Sequence, residues 1–281
     1  MTAPTPEQFK EQVAWSFNQT ALTYDMMRFT RRAADRLIDM AGLRSGERVL
    51  DVATGTGHVA LAAAPLVGPA GSVAGIDLAE ELLDQARRKA GDAGLTNITF
   101  QAGDAEHLEF PDARFDVVLC CSAIFFIPNQ LAAASEWLRV LRPGGRVLFT
   151  SFGERRDAIS QLAGSHLQRF GKTPPPVQSG EALRSRPELC TDLLEAAGFV
   201  EVAVTTEQLG YYFAGVDEYW DELNQSMFGA IIRQLTAEQE AAFRHDLLTD
   251  AMQLATEAGL WRDLPVNFTT GRHRVPDLDR Q

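Results

Sequence analysis

The stretch Val49 to Ala60, VLDVATGTGHVA, decides how the rest of the chain is read. A short apolar run closes on an acid, Asp51, crosses Gly55 and Gly57, and enters a segment of helical pattern. Glycine adopts backbone angles that a Cβ forbids and lets a ligand approach the main chain, while N–H groups at a helix start attract polar ligand groups. Strand, glycine turn and helix in that order describe a site for a nucleotide-like ligand.

Working outward, residues 47 to 150 alternate short apolar runs with helical stretches: RVLDVA and HVALAAAPLV, SVAGIDL and EELLDQARRKAGDAG, ITFQAG, FDVVLCC and NQLAAASEWLRVL, then GRVLFTSF. Strands alternating with helices of this length imply an α/β fold with a parallel sheet covered on both faces. In such sheets the ligand sits beyond the carboxyl ends of the strands. Gly144 and Gly145 are expected to make the tight turn into the fifth strand. After 150 the alternation breaks. Residues 154 to 187 are mixed and hold the proline-rich loop GKTPPPVQSGE at 171 to 181; ELCTDLLEAAGF resumes a helix and VEVAVTTEQL a strand. One long helical piece is expected from about 216 to 259, with Val216, Tyr219, Trp220, Leu223, Met227, Ile231 and Leu235 on one face. LPVNFTTGRH reads as a last strand.

This divides the chain into an N-terminal lid and first helix (1–46), a ligand-binding core (47–152), an insertion that returns to the core (153–209), a helical cap (210–264) and a last strand with its tail (265–281). The two insertions fall at the same end of the sheet and would cover the ligand.

Lys plus Arg total 26 against 38 Asp plus Glu, a net charge of −12 over 281 residues, which disfavours nucleic acid or an anionic membrane surface as partner. The expected partner is a small molecule, and the apolar cap helices leave a homodimer open. MTAPTPEQFK lacks the pattern of a secretory signal, and no apolar run approaches the ~20 residues that span a bilayer, so the expected location is cytoplasmic, without membrane insertion. Cys120, Cys121 and Cys190 form neither a disulfide framework nor a zinc spacing, so no metal is expected.

The glycine turn alone admits two ligands. Gly55, Gly57 and Ala60 satisfy G-x-G-x-x-G/A, with Asp77 at the remove that holds the ribose of NAD. Asp51 through Gly57 is also an acid-x-small-x-Gly-x-Gly loop suited to S-adenosylmethionine. Three features favour the second. Asp51 would accept from an ammonium group but repel a pyrophosphate. Asp104, in GDAE, is placed to accept from an adenine amino group. Strand four then leads through a helix into LRPGGRVLF.

Taken in order, LDVATGTGH, GIDL, GDAEHLEF, FDVV and LRPGGR make residues 47 to 152 resemble the class I S-adenosylmethionine-dependent methyltransferases, in the branch of the ubiquinone and menaquinone biosynthesis enzymes. The resemblance implies a Rossmann-like sheet with helices on both faces and a helical cap inserted after strands five and six. It implies that Asp51, Ala53, Thr54, Gly55 and Gly57 hold the methionine part of the cofactor, Asp77 and Leu78 the ribose, and Asp104 with Ala105 the adenine. Cys121 completes this set at the end of strand four. The product would be S-adenosylhomocysteine. FNQTALTYDMMRF, at 17 to 29, matches a family segment that closes over the cofactor.

Two departures matter. Ala53 replaces the first family glycine and is expected to take ordinary backbone angles. Many relatives carry two histidines before a proline where this chain has Phe125, Phe126, Ile127 and Pro128, so the acceptor side is expected to be apolar. Tyr24, Phe125, Tyr211 and Tyr212 are the candidate acceptor contacts, and no catalytic base is assigned. The expected reaction is O- or C-methylation, rather than N-methylation, of a small apolar or aromatic acceptor. The alternatives are a methyltransferase-fold protein with a non-methylating reaction such as cyclisation and, less favoured, an NAD-dependent oxidoreductase.

Plainer roles compete for several residues. Asp116 reads as structural. None of His58, His107, His166, His245 or His273 stands out as a base, although His166 and His245 lie in the cap. Tyr219 and Trp220 read as cap packing; Trp15, Phe17 and Tyr24 divide between lid and packing strip. Arg28, Arg31 and Arg32 read as a solvated helix face.

Overall fold

The computed structural model describes residues 4–154, 158–172 and 186–276. A seven-stranded sheet runs in the order β3-β2-β1-β4-β5-β9-β6. Its strands are β1 (Arg48–Val52), β2 (Ser72–Asp77), β3 (Ile98–Ala102), β4 (Phe115–Cys120), β5 (Leu141–Phe152), β6 (Val200–Gln208) and β9 (Pro265–Arg272). The first five are parallel; β9 runs antiparallel between β5 and β6.

The apolar runs of β1 and β4 exist because both faces of these strands are covered. All six residues of β4 are buried, Asp116 among them. That acid accepts from the Arg48 backbone N–H at 2.6 Å and pairs with Arg142, a structural role. Helix α2 (Arg28–Ala41) buries Ala33, Ala34, Leu37, Ile38 and Ala41 along one stripe and stops at Gly42, whose φ of 53° only a glycine holds without strain. Fully buried Leu37 alone removes enough apolar surface to stabilise the fold by about 2 kcal/mol. Helices α3 (His58–Val67), α4 (Glu80–Asp92), α5 (Gln130–Val140) and α7 (Pro187–Ala197) supply the other covers, while α1 (Pro6–Asn18) and a 3-10 turn (Tyr24–Met26) cross the carboxyl ends of the strands.

Three expectations need correction. The Gly144–Gly145 pair does not precede β5 but lies inside it. Phe115 pairs with Leu141 and Val117 with Arg146, so residues 142–145 bulge opposite the single residue Asp116. The expected long helix is three: α8 (Val216–Gln225), α9 (Met227–Ile232) and α10 (Ala237–Leu254). Ser226 and Thr236 break it, each accepting from a backbone N–H as an N-cap, and Thr236 with Gln239 forms a full capping box. The shared apolar face survives the breaks, since Tyr219, Trp220, Leu223, Ile231 and Leu235 are all buried. Finally, the arginine face of α2 is only partly solvated: Arg31 and Arg32 are exposed as expected, while Arg28 is half-buried. Arg28 lies 4.3 Å over the Tyr211 ring and pairs with Glu218 at 2.9 Å, and Arg32 donates to the Leu209 carbonyl, so this face docks the cap. The proline-rich loop falls largely in 173–185, outside the described residues.

Between β6 and β9 lie β7 (Tyr211–Phe213), helices α8 to α10 and β8 (Leu260–Arg262), with β7 and β8 forming a separate two-stranded ribbon. Helix α6 (Ile159–Arg169), inserted after β5, packs on α10. Among the described residues no helix is long and apolar enough to cross a membrane.

Candidate active site

Strand order reverses between β1 and β4, and in an open parallel sheet the crevice beyond that point is where a ligand fits. Two adjoining cavities occupy it. The larger encloses about 700 Å³ and the smaller about 470 Å³, and Tyr24, Ala53, Cys121 and Ser122 line both.

The turn after β1 is held from below. Asp51 is 1% exposed, and its Oδ2 accepts both from Thr54 Oγ1 at 2.6 Å and from the Ala60 backbone N–H at 3.1 Å. Burial pushes this carboxyl up to about 7, with the charge of Asp77 adding to the rise and the two hydrogen bonds opposing it. Ala53 does not take ordinary angles: its φ is 54°, in the left-handed region, and Gly55 and Gly57 follow at 56° and 82°. Ser122, at the end of β4 across the crevice, is left-handed as well, its N–H donating to Thr150 Oγ1 at 2.7 Å. Non-glycine residues in that region cost on the order of 1 kcal/mol or more and gather at ligand sites.

The other sequence candidates divide. Asp77 Oδ2 accepts from the Gly55 N–H at 2.8 Å and Oδ1 from the Ala79 N–H at 2.9 Å, and burial raises its carboxyl despite those bonds. Asp77, Leu78, Asp104 and Ala105 line the larger cavity; Asp51 and Thr54 line the smaller; Ala53 and Cys121 lie in both and Gly55 in the larger. Burial pushes the Cys121 thiol up to about 11. Gly57 lines neither cavity. Besides its positive φ, a Cβ there would sit 2.9 Å from that of Ala86, so its glycine serves the packing of α3 on α4.

Of the candidate acceptor contacts, Tyr24 faces the crevice, its ring 3.6 Å from where a Cβ on Gly55 would stand. The structure moves the other three out. Phe125 is 1% exposed and stacks on Phe152 in the core; the 3-10 turn at Ile124–Phe126 turns Phe126 to the cavity in its place. Tyr211 is buried with its hydroxyl donating to both oxygens of Glu222 at 2.7 Å, while Tyr212 is 46% exposed and tilted against Trp261. Neither tyrosine lines either of the two crevice cavities.

Sequence reasoning offered Phe17 as a lid residue but missed the rest of what α1 contributes. Lys10, Val13, Ala14 and Phe17 all line the larger cavity, and Phe17 packs edge-on against Phe126 with ring centroids 5.1 Å apart. The signal was there: a Thr5–Gln8 capping box followed by apolar residues at Phe9, Val13 and Phe17, a period of four. Lys10 Nζ donates at 2.7 Å to both Asp104 Oδ2 and Glu106 Oε2. Burial opposes ionisation of Asp104, but the Lys10 hydrogen bond and charge outweigh it and hold the carboxyl below its usual range.

None of the five histidines reaches the larger cavity. His58 borders the smaller one, paired with Asp35 at 2.8 Å. His107 is solvent-facing, His166 is buried in the cap against Asp250, His245 lies on an outer face of α10, and His273 bonds the Leu141 carbonyl.

The donor and acceptor set fits an adenosyl ligand. Carboxylates at the ends of β2 and β3 can take hydroxyl and amino hydrogens, Leu78 and Val13 offer apolar walls for a purine, and Asp51 borders the smaller cavity as an acid that could take an ammonium.

Comparison with known proteins agrees. Residues 43–198 match the family described as methyltransferase domain. The aklanonic acid methyltransferase of Streptomyces sp. (strain C5) is 32% identical over 215 residues, covering 72% of this chain and 98% of its own. The nocamycin O-methyltransferase of Saccharothrix syringae is 30% identical over 290 residues, 92% of this chain and 97% of its own. A ubiquinone/menaquinone biosynthesis C-methyltransferase from Pseudomonas fluorescens is 37% identical over 169 residues, which is 56% of this chain and 65% of its own. Among solved structures, the [4+2]-cyclase SpnF shares the fold over 98% of this chain and 99% of its own, with a TM-score of 0.62 at 22% identity. The chain belongs to the class I S-adenosylmethionine-dependent methyltransferases, enzymes that act here on a small molecule.

Proposed function

We propose that this enzyme transfers a methyl group to an oxygen or carbon of a small apolar or aromatic acceptor. The observation that carries the reading is the wall made by Phe17, Tyr24, Phe126 and Ile127, facing a cavity that no histidine enters. When bound, S-adenosylmethionine supplies an electrophilic methyl group on a sulfonium centre. The chain's own part is to place and to shield. The loop from Ala53 to Gly55 fixes one side of the crevice, the carboxylates of Asp77 and Asp104 orient the adenosyl end, and the aromatic wall excludes water that would compete as nucleophile. The apolar wall of Phe17, Phe126 and Ile127 would suit a reaction in which net charge at the site diminishes. With no histidine at the wall, an acceptor that enters already ionised or carbon-activated is favoured over an alcohol or ammonium needing a dedicated base.

The relatives bear on the choice of atom. The nocamycin enzyme, which covers 92% of this chain and therefore extends into the cap, is named an O-methyltransferase, whereas the ubiquinone/menaquinone C-methyltransferase covers 56%. The wider coverage by an O-methyltransferase favours oxygen as the atom methylated.

The test is incubation with S-adenosylmethionine and a panel of phenols, hydroquinones, aliphatic alcohols and amines, read by mass spectrometry. A gain of one methylene in the phenolic compounds, with stoichiometric S-adenosylhomocysteine, supports the reading. Faster methylation of amines overturns it, as does a rearranged product of unchanged mass, which is the outcome a cyclase would give.

A further inference from the structure

The segment from α1 through the 3-10 turn, residues 6–26, lies as a strap over the crevice and is fastened at three places. At the glycine loop, Asp25 accepts from Thr56 Oγ1 at 2.5 Å and pairs with Lys89 at 2.8 Å. At the middle, Asn18 Oδ1 accepts from the Glu81 N–H at 3.1 Å, a free donor in the first turn of α4. The far end is fastened by Lys10 on Asp104 and Glu106.

Apolar packing contributes little along α1, because Phe9 is the only one of its thirteen residues that is buried. An element with so few buried contacts opens at low free energy unless something else holds it. Lys10 does so, with its side chain only 15% exposed and Glu106 only 7%. Glu106 passes the restraint on: its other oxygen, Oε1, accepts from the Asn129 N–H at 2.8 Å, where the chain leaves the Phe126–Pro128 wall for α5. Asp104 Oδ1 accepts from the Glu106 N–H at 2.9 Å. One ammonium therefore joins the strap, the loop after β3 and the loop after β4.

We propose that Lys10 is a positioning residue that pins the strap over the adenosyl end of the cofactor and sets how slowly the cofactor escapes. The proposal rests on the crevice being the cofactor site. Removing the ammonium leaves two carboxylates side by side with only the exposed imidazole of His107, 3.8 Å from Asp104, as a basic neighbour, and frees the strap from the Phe126 loop. Because the fastening is ionic and borders solvent, salt weakens it. A methionine keeps the length of the side chain and its contact with the wall while removing the charge; an arginine keeps the charge.

The experiment is a chase of labelled S-adenosylhomocysteine from the full-length protein, comparing wild type, Lys10→Met and Lys10→Arg at low and high salt. Amide exchange over residues 6–18 is followed in the ligand-bound state. Lys10→Met is expected to release the ligand about tenfold faster, with faster exchange in α1 and with a rate that rises less steeply with salt than in wild type, the exposed Asp25–Lys89 pair supplying what salt dependence is left. Lys10→Arg is expected to lie within about threefold of wild type. Equal release rates and equal salt dependence in wild type and Lys10→Met overturn the proposal. Asp77→Ala separates the underlying assumption: if that variant binds as wild type does, the crevice is not the cofactor site. If it fails to bind while Lys10→Met behaves as wild type, the role of Lys10 alone falls.

Discussion

The Gly55 backbone N–H donates to Asp77 Oδ2 at 2.8 Å, tying the turn after β1 to the end of β2 across 22 residues of chain. One carboxylate thus shapes the glycine loop and faces the cavity at once. Asp77→Ala is expected to lower S-adenosylhomocysteine affinity by at least a hundredfold in calorimetric titration, because an acceptor and a loop restraint vanish together. Asp77→Asn keeps one acceptor oxygen and is expected to lose less. Wild-type affinity in the alanine variant would remove Asp77 from the site.

Asp51 makes stability depend on pH in an unusual direction. Its carboxyl is raised to about 7 by burial, above the ~4 of an unfolded chain, so between those values the folded state binds more protons than the unfolded state. Stability of the ligand-free protein contributed by this group is therefore full below about pH 4 and falls as pH rises through about 7. Asp51→Asn can still accept from Thr54 and Ala60, since both bonds converge on a single oxygen. The variant is expected to melt near wild type at pH 5 and above it at pH 8. A ligand ammonium beside Asp51 would reverse the trend, so S-adenosylhomocysteine should bind wild type more tightly as pH rises through 7. A constant difference in melting temperature across this range would refute the assignment.

Ala53 tests how closely the turn is specified. At φ 54° an alanine is tolerated and a β-branched residue is not. Ala53→Gly trades relief of that strain against greater freedom in the unfolded chain and is expected to change stability by less than about 0.5 kcal/mol. Ala53→Val is expected to cost about 1–3 kcal/mol in denaturant unfolding and to weaken cofactor binding as well.

What was legible in the sequence follows from the range of the forces involved. The alternation of parallel strands with helices and the acids at the ends of β1, β2 and β3 could be placed because buried parallel strands and their terminal carboxylates are local patterns. The breaks at Ser226 and Thr236 were equally local, and were overridden by a helical period that runs through both. The positive φ of Ala53 was misread although the resemblance carried a signal for it: the family has a glycine at this position, the residue that a left-handed turn favours. Tyr211 was misplaced because Glu222, eleven residues on, takes its hydroxyl within the cap, and Arg28 because its partners, Glu218 and the Tyr211 ring, lie far along the chain and meet it only when the cap docks on α2. Lys10 was invisible for the same reason, being more than ninety residues from Asp104 and Glu106.

Two neighbouring phenylalanines should separate packing from function. Phe125 is enclosed by the core and stacks on both Phe126 and Phe152, so Phe125→Ala opens a cavity and is expected to cost about 3–5 kcal/mol, read as a large fall in the denaturant midpoint. Phe126 is only partly buried, with one face toward Phe17 and the crevice. Phe126→Ala is expected to cost stability less than half as much and to act instead on turnover, raising the acceptor KM severalfold and loosening S-adenosylhomocysteine through its contact with the strap. Phe126→Leu restores apolar volume without the ring, so recovery of the KM would mean the wall excludes water by bulk. Failure to recover, with normal stability, would mean the acceptor reads the aromatic edge itself.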